Sequence, residues 1–140
     1  MALIVDAGAV VAMHDARDPQ HAVTVRLLVE EPQELVIPAQ VTAEIDYLVA
    51  RRLGEHSRQS FMADLAAGRY AVECLRPDDY RTVAELERIY VDLAPGLADL
   101  SIVVLAGRFR TRRIATFDER HFRALRPLDG GAFTLLPADE

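Results

Sequence analysis

The chain has 140 residues, 51% of them hydrophobic and 27% charged, with a formal net charge of −6 at pH 7. That length builds one core and not two, the composition is that of a folded domain, and the acidic balance argues against a protein that coats nucleic acid through bulk charge. A single cysteine excludes an internal disulfide, and because all 16 basic residues are arginine, any chemistry that needs a lysine is excluded as well.

No apolar run has the length or flanks of a signal peptide or a bilayer span, so the expectation is one cytoplasmic domain over residues 1–140. Leu3-Ile4-Val5 is an unbroken apolar run of the kind a strand buried on both faces requires, and it stops on a carboxylate, Asp6. Ala7 to Met13 reads as a short helix. The segment from His14 to Gln20 is turn chemistry, with Asp18 expected as an N-cap ahead of Pro19 and a helix continuing to Glu31, where Pro32 stops it.

Leu35-Val36-Ile37 reads as a second buried strand. A helix over about Ala39 to Leu53 follows, since Val41, Ile45, Leu48, Val49 and Arg52 share one stripe, with Glu44 on one margin and Asp46 nearer the other side. Gly54 ends it. Glu55 to Ala67 forms another helix closed by Gly68, and Tyr70 to Leu75 is a strand in which Cys74 is expected as a buried small hydrophobe.

Pro77 starts a helix that runs through Val91 and is broken by Pro95-Gly96. Leu97 to Arg110 is apolar almost all round, so it is expected as a helix in the centre of the fold, with Asp99 in its first turn. Ile114-Ala115-Thr116 is a short strand running toward another acid, Asp118. A helix over Glu119 to Leu125 and an edge strand over Phe133 to Leu136 complete an α/β three-layer sandwich with a mainly parallel central sheet.

Singly, Asp6, Asp99 and Asp118 are ordinary helix caps and Glu44 an ordinary solvated residue. Their arrangement says more. Two stand at the ends of buried strands, which lie on one edge of a parallel sheet, and a third opens the most buried helix, where an unpaired carboxylate is costly. A divalent cation would relieve them together, and oxygen-only ligands favour Mg²⁺ or Mn²⁺ over zinc. The four histidines, His14, His21, His56 and His121, are scattered and read as surface residues.

The chain resembles the PIN-domain ribonucleases, and among them the VapC-type toxins of toxin–antitoxin pairs. The likeness rests on Leu3-Ile4-Val5-Asp6, the Pro-led helix from Pro38 to Glu44, Leu97-Ala98-Asp99-Leu100-Ser101, and Ala115-Thr116-Phe117-Asp118 followed by His121-Phe122. It implies that Asp6, Glu44, Asp99 and Asp118 hold the metal, that Thr116 orients a carboxylate or a water from behind, and that Glu44 rather than Asp46 belongs to the site. One departure stands out: many relatives carry a small polar residue where this chain has Gly8, which puts one supporting hydrogen bond in doubt.

The implied activity is metal-dependent hydrolysis of RNA phosphodiester bonds by the toxin of a type II system, with a homodimer, a cognate antitoxin over the acidic groove and an RNA substrate. Arg51-Arg52 and the run Arg108, Arg110, Arg112, Arg113 are the clusters available to RNA. The rival of a different class is a catalytically silent PIN-fold protein that acts only through protein binding. A haloacid-type phosphatase would need an acid at position 8, and a phospho-receiver domain would need a lysine; neither is present.

Overall fold

Leu3 and Val5 face the apolar layer on one side of the sheet and Ala2 and Ile4 the layer on the other, and all four are buried. This period of two on an apolar strand is what a sheet covered on both faces imposes. The computed structural model describes residues 1–140. Five strands, β1 (Ala2–Val5), β2 (Glu34–Pro38), β3 (Ala71–Glu73), β4 (Arg113–Ala115) and β5 (Thr134–Leu136), form one sheet in the order β3-β2-β1-β4-β5, every neighbouring pair parallel.

On one face lie α1 (Ala7–His14), α2 (His21–Val25, prolonged by a π-helical turn over Arg26–Glu30), α3 (Ala39–Leu53) and α4 (Glu55–Ala66). The opposite face carries α5 (Pro77–Ile89), α6 (Leu97–Arg108) and α7 (Glu119–Ala124). In α6, every residue from Leu100 to Ala106 is buried, which is why its sequence lacks a polar face. Ser101, the one hydroxyl in that run, donates to the Leu97 carbonyl at 2.6 Å and so enters the interior satisfied. No helix is long and apolar enough to cross a membrane.

The chain leaves β1 toward β2 and β3 on one side, then returns to place β4 and β5 on the other. In open sheets of this kind the crevice outside the carboxyl ends of the strands, where the order reverses, is where ligands bind. Here that point lies between β1 and β4. The Asp6 amide extends their ladder by donating to the Ala115 carbonyl at 2.9 Å.

Three expectations are corrected. Asp18 does not cap α2, which begins at His21; its carboxylate instead accepts the Gln20 amide at 2.7 Å, closing a turn that holds Pro19 outside the helix. Cys74 is exposed, because β3 is a three-residue edge strand that ends before it. His14 is not a surface residue: its side chain is 10% exposed, edge-on to the Phe61 ring with centroids 6.3 Å apart.

Phe61 is fully buried, between the His14 and Tyr70 rings, and it anchors α4 to the rest of that face. Phe61→Ala is expected to cost about 3–5 kcal/mol, measured as the loss of unfolding free energy in a urea titration.

Candidate metal centre

Each acid reaches the reversal point from a different element. Asp6 is the first residue after β1 and caps α1, its Oδ1 accepting the Ala7 amide at 2.8 Å. Its Oδ2 accepts from the hydroxyl of Thr116, the residue after β4, at 2.8 Å. Thr116 is 1% exposed, and its oxygen in turn accepts the Asp118 amide at 3.0 Å. One buried hydroxyl therefore ties the acid that follows β1 to the acid beyond β4.

Asp118 caps α7, Oδ1 accepting the His121 amide at 3.0 Å. Asp99 arrives from the first turn of α6, and Glu44 from the exposed margin of α3. Asp46, two residues on, faces away and pairs with Arg58 at 2.9 Å. Asp6, Glu44, Asp99 and Asp118 line one cleft of about 400 Å³, together with Gly8, Leu48, Arg52, Ala98 and Phe117. A Cβ at Gly8 would meet only the Phe117 ring, at 3.7 Å, so the glycine is not there to relieve a clash.

The carboxylates raise one another's proton affinity, as like charges in a half-buried site must. Burial pushes the Asp99 carboxyl up to about 6; the negative charge of Asp6 adds to this, with smaller contributions from Asp118 and Glu44, while His121 works against it. Burial also raises Asp6, against the lowering effect of the Thr116 and Ala7 hydrogen bonds, and Asp118 adds to the rise. Glu44 is raised by burial and then by Asp6. A donor set of crowded carboxylates fits a hard divalent cation, which would offset the repulsion.

His121, read from the sequence as a surface residue, joins the acids instead. Its Nδ1 lies 2.8 Å from Asp118 Oδ2 and 3.1 Å from Asp99 Oδ2. These three residues can each offer a donor atom within 4.8 Å of the others; Asp6 and Glu44 line the same cleft as the two aspartates but stand outside this compact trio. The signal that could have found it is the three-residue spacing from the capping Asp118, which returns a side chain to the cap in a single turn of helix.

The arginine run after α6 lies elsewhere. Arg113 opens β4, at the amino ends of the strands, and with Arg110 and Arg112 it lines a separate cavity of about 750 Å³. Arg108 pairs with Asp79 and Glu73, Arg112 with Asp129 at 3.3 Å, and Arg113 donates to Gln33 at 2.7 Å. Most of this run therefore serves the fold. Arg52, in contrast, lines the acidic cleft and has no carboxylate within 4 Å.

Comparison with known proteins adds four matches. The model of the PIN domain family matches residues 3–126. Ribonuclease VapC26 of Mycobacterium tuberculosis is 39% identical over 135 residues, spanning 96% of this chain and 100% of that protein. Among solved structures, M. tuberculosis VapC20, a toxin that cleaves the sarcin–ricin loop, superposes with a TM-score of 0.74 at 20% identity, covering 83% of this chain and 89% of its own. VapBC2 of Rickettsia felis, bound to a DNA fragment from its promoter, does so with a TM-score of 0.68 at 18% identity, covering 96% and 98%. At such identities the two structures speak for the fold.

Because Asp99 holds its proton more tightly folded than unfolded, it binds more protons in the native state between pH 3.8 and about 6, and stability falls as pH rises through that window. In chelator, Asp99→Asn is expected to remove this loss, leaving the variant more stable than the parent at pH 7 by on the order of 2 kcal/mol. Thermal unfolding of both proteins at pH 4 and pH 7 checks it.

Proposed function

This chain belongs to the PIN-domain family, alongside the VapC-type ribonucleases, and from that premise we propose that it is a metal-dependent endoribonuclease, the toxin of a type II toxin–antitoxin pair. The observation that carries the reading is the meeting of Asp6, Glu44, Asp99 and Asp118 in one cleft from four separate elements. Such a gathering of like charge costs stability, and a fold kept only for protein binding gains nothing from it.

Asp6 and Asp99 would be the principal ligands of a Mg²⁺ or Mn²⁺ ion, with Glu44 and Asp118 completing the acidic set. Bound there, the ion would supply an activated water and offset the charge on the non-bridging phosphate oxygens. Thr116, through its hydrogen bond to Oδ2, holds the Asp6 carboxylate in one orientation. Hydrolysis adds water at phosphorus and breaks the P–O3′ bond.

Substrate positioning falls to groups on the cleft rim. Glu44, Leu48 and Arg52 recur at four-residue spacing on α3, so the arginine stands two turns, about 12 Å along the helix, from the acid. With no carboxylate of its own, Arg52 is free to pair with a backbone phosphate next to the scissile one. Phe117, 39% exposed at the mouth, offers an unpaired base a stacking face.

The partners are an RNA, a cognate antitoxin whose cationic segment covers the carboxylates, and a second copy of the chain, all in the cytoplasm. Exposed Tyr47 on α3 and Met62 on the adjoining α4 supply apolar surface for the protein contacts.

RNA cleavage should stop in chelator and return with Mn²⁺. Asp6→Asn should lower it by at least about 100-fold, beyond the usual effect of residues that only support ligands, with an unchanged circular dichroism spectrum. Full metal-stimulated cleavage by that variant would remove Asp6 from the catalytic set, whereas a parent protein that cleaves no RNA with Mn²⁺ would leave the protein-binding rival standing. Arg52→Ala is expected to raise KM severalfold with kcat little changed and to reduce the salt slope of RNA binding by about 0.7, the share of one phosphate contact; Arg110→Ala, at the far edge of the sheet, should alter neither.

A further inference from the structure

We propose that His121 is a nitrogen ligand of the metal centre, completing with Asp99 and Asp118 a mixed donor set that favours manganese over magnesium. The inference rests on the metal-dependent reading above and deepens it.

His121 is the first-turn residue of α7 whose backbone amide and ring both return to Asp118, the former to Oδ1 at 3.0 Å and the latter to Oδ2 at 2.8 Å. The amide hydrogen bond holds the backbone and so keeps the ring beside Asp118 even when Nδ1 gives up its proton to bind an ion. From there Nδ1 also reaches Asp99 Oδ2, at 3.1 Å. The ring thus bridges α7 to α6, two elements that otherwise bring only negative charge to this place.

The three side chains stand close enough to share an ion, their donor atoms all within 4.8 Å of one another. Neighbouring donors on an octahedral cation with bonds of about 2.1 Å sit at right angles and are therefore about 3.0 Å apart. Both Nδ1-to-carboxylate distances, 2.8 and 3.1 Å, match that value. An ion in place of the shared hydrogen would need only a small outward shift of the three side chains, and the side chains are only partly enclosed, 23%, 17% and 37% exposed for His121, Asp99 and Asp118.

The other histidines are spoken for or remote. His14 packs on Phe61 near Asp64, and the His21 ring bonds to the Ala12 carbonyl at 2.9 Å. His56 lies on α4, away from the cleft.

A nitrogen donor changes which ion the site prefers. Magnesium keeps to oxygen ligands and sheds water reluctantly, whereas imidazole suits first-row transition ions, of which manganese best tolerates an otherwise all-carboxylate shell. Glu44 and Asp6 line the cleft beside that trio and keep the surroundings of the ion rich in carboxylate.

Pulsed electron paramagnetic resonance of the full chain with Mn²⁺ alone tests the proposal without reference to cleavage. The expected result is nitrogen modulation from a directly bound imidazole, moved to the ¹⁵N frequency when histidine is ¹⁵N-labelled and lost in His121→Gln. In that variant Mn²⁺ affinity should drop by on the order of tenfold, while Mg²⁺ affinity, read by competition, changes far less. Bound Mn²⁺ without nitrogen coupling, or coupling that survives in His121→Gln, overturns the inference and leaves the nuclease reading intact. Failure of the chain to bind Mn²⁺ at all overturns both. Should His121→Gln not fold, the labelled parent decides, because His121 is the one histidine in contact with the cleft carboxylates.

Discussion

The hydrogen bond from Thr116 to Asp6 is the contact on which the site depends. It joins the ends of the two central strands, and the same oxygen receives the Asp118 amide, so the position of one buried hydroxyl sets the separation of two acids. A hydroxyl suits this position because it donates and accepts at once. A valine of similar size would take this partner from the Asp118 amide and from one Asp6 oxygen at a part-buried position.

Around that contact the protein concentrates negative charge at one edge of the sheet and distributes its cations elsewhere. Arg58, Arg69, Arg108, Arg112 and Arg123 are all engaged with acids outside the cleft. The raised proton affinity of Asp6, Glu44 and Asp99 follows from this segregation, since burial and mutual repulsion act on them together and no arginine answers them. A site assembled for stability would place a guanidinium among the acids, where only the His121 ring stands. This one keeps its only nearby guanidinium, that of Arg52, on the rim, where a phosphate could meet it.

The fold was legible because its elements are locally consistent. Unbroken apolar runs marked the central strands, a helical stripe marked α3, and an all-round apolar segment marked α6, each within a residue or two of its observed bounds. The failures are of another kind. Cys74 sits beside apolar neighbours in sequence, yet β3 is an edge strand and stops before reaching it. Arg108 to Arg113 form one basic cluster along the chain, but in space most of them are matched with acids or with Gln33 from other segments. His121 looked isolated because its partner Asp99 lies 22 positions earlier, on a helix whose approach no local pattern reveals.

By itself the sequence determined the alternation of strands and helices, the two-sided burial of the sheet and the identity of the acids at the strand ends, because these follow from periodicities and capping preferences that act over a few residues. Only the tertiary structure decided that Thr116 bridges Asp6 and Asp118, that His121 reaches both Asp99 and Asp118, and that Arg52 rather than the longer arginine run borders the cleft. Those relations depend on where the chain reverses its course across the sheet. Strand order is a global packing solution, and residues far apart along the chain become neighbours only when it is reached.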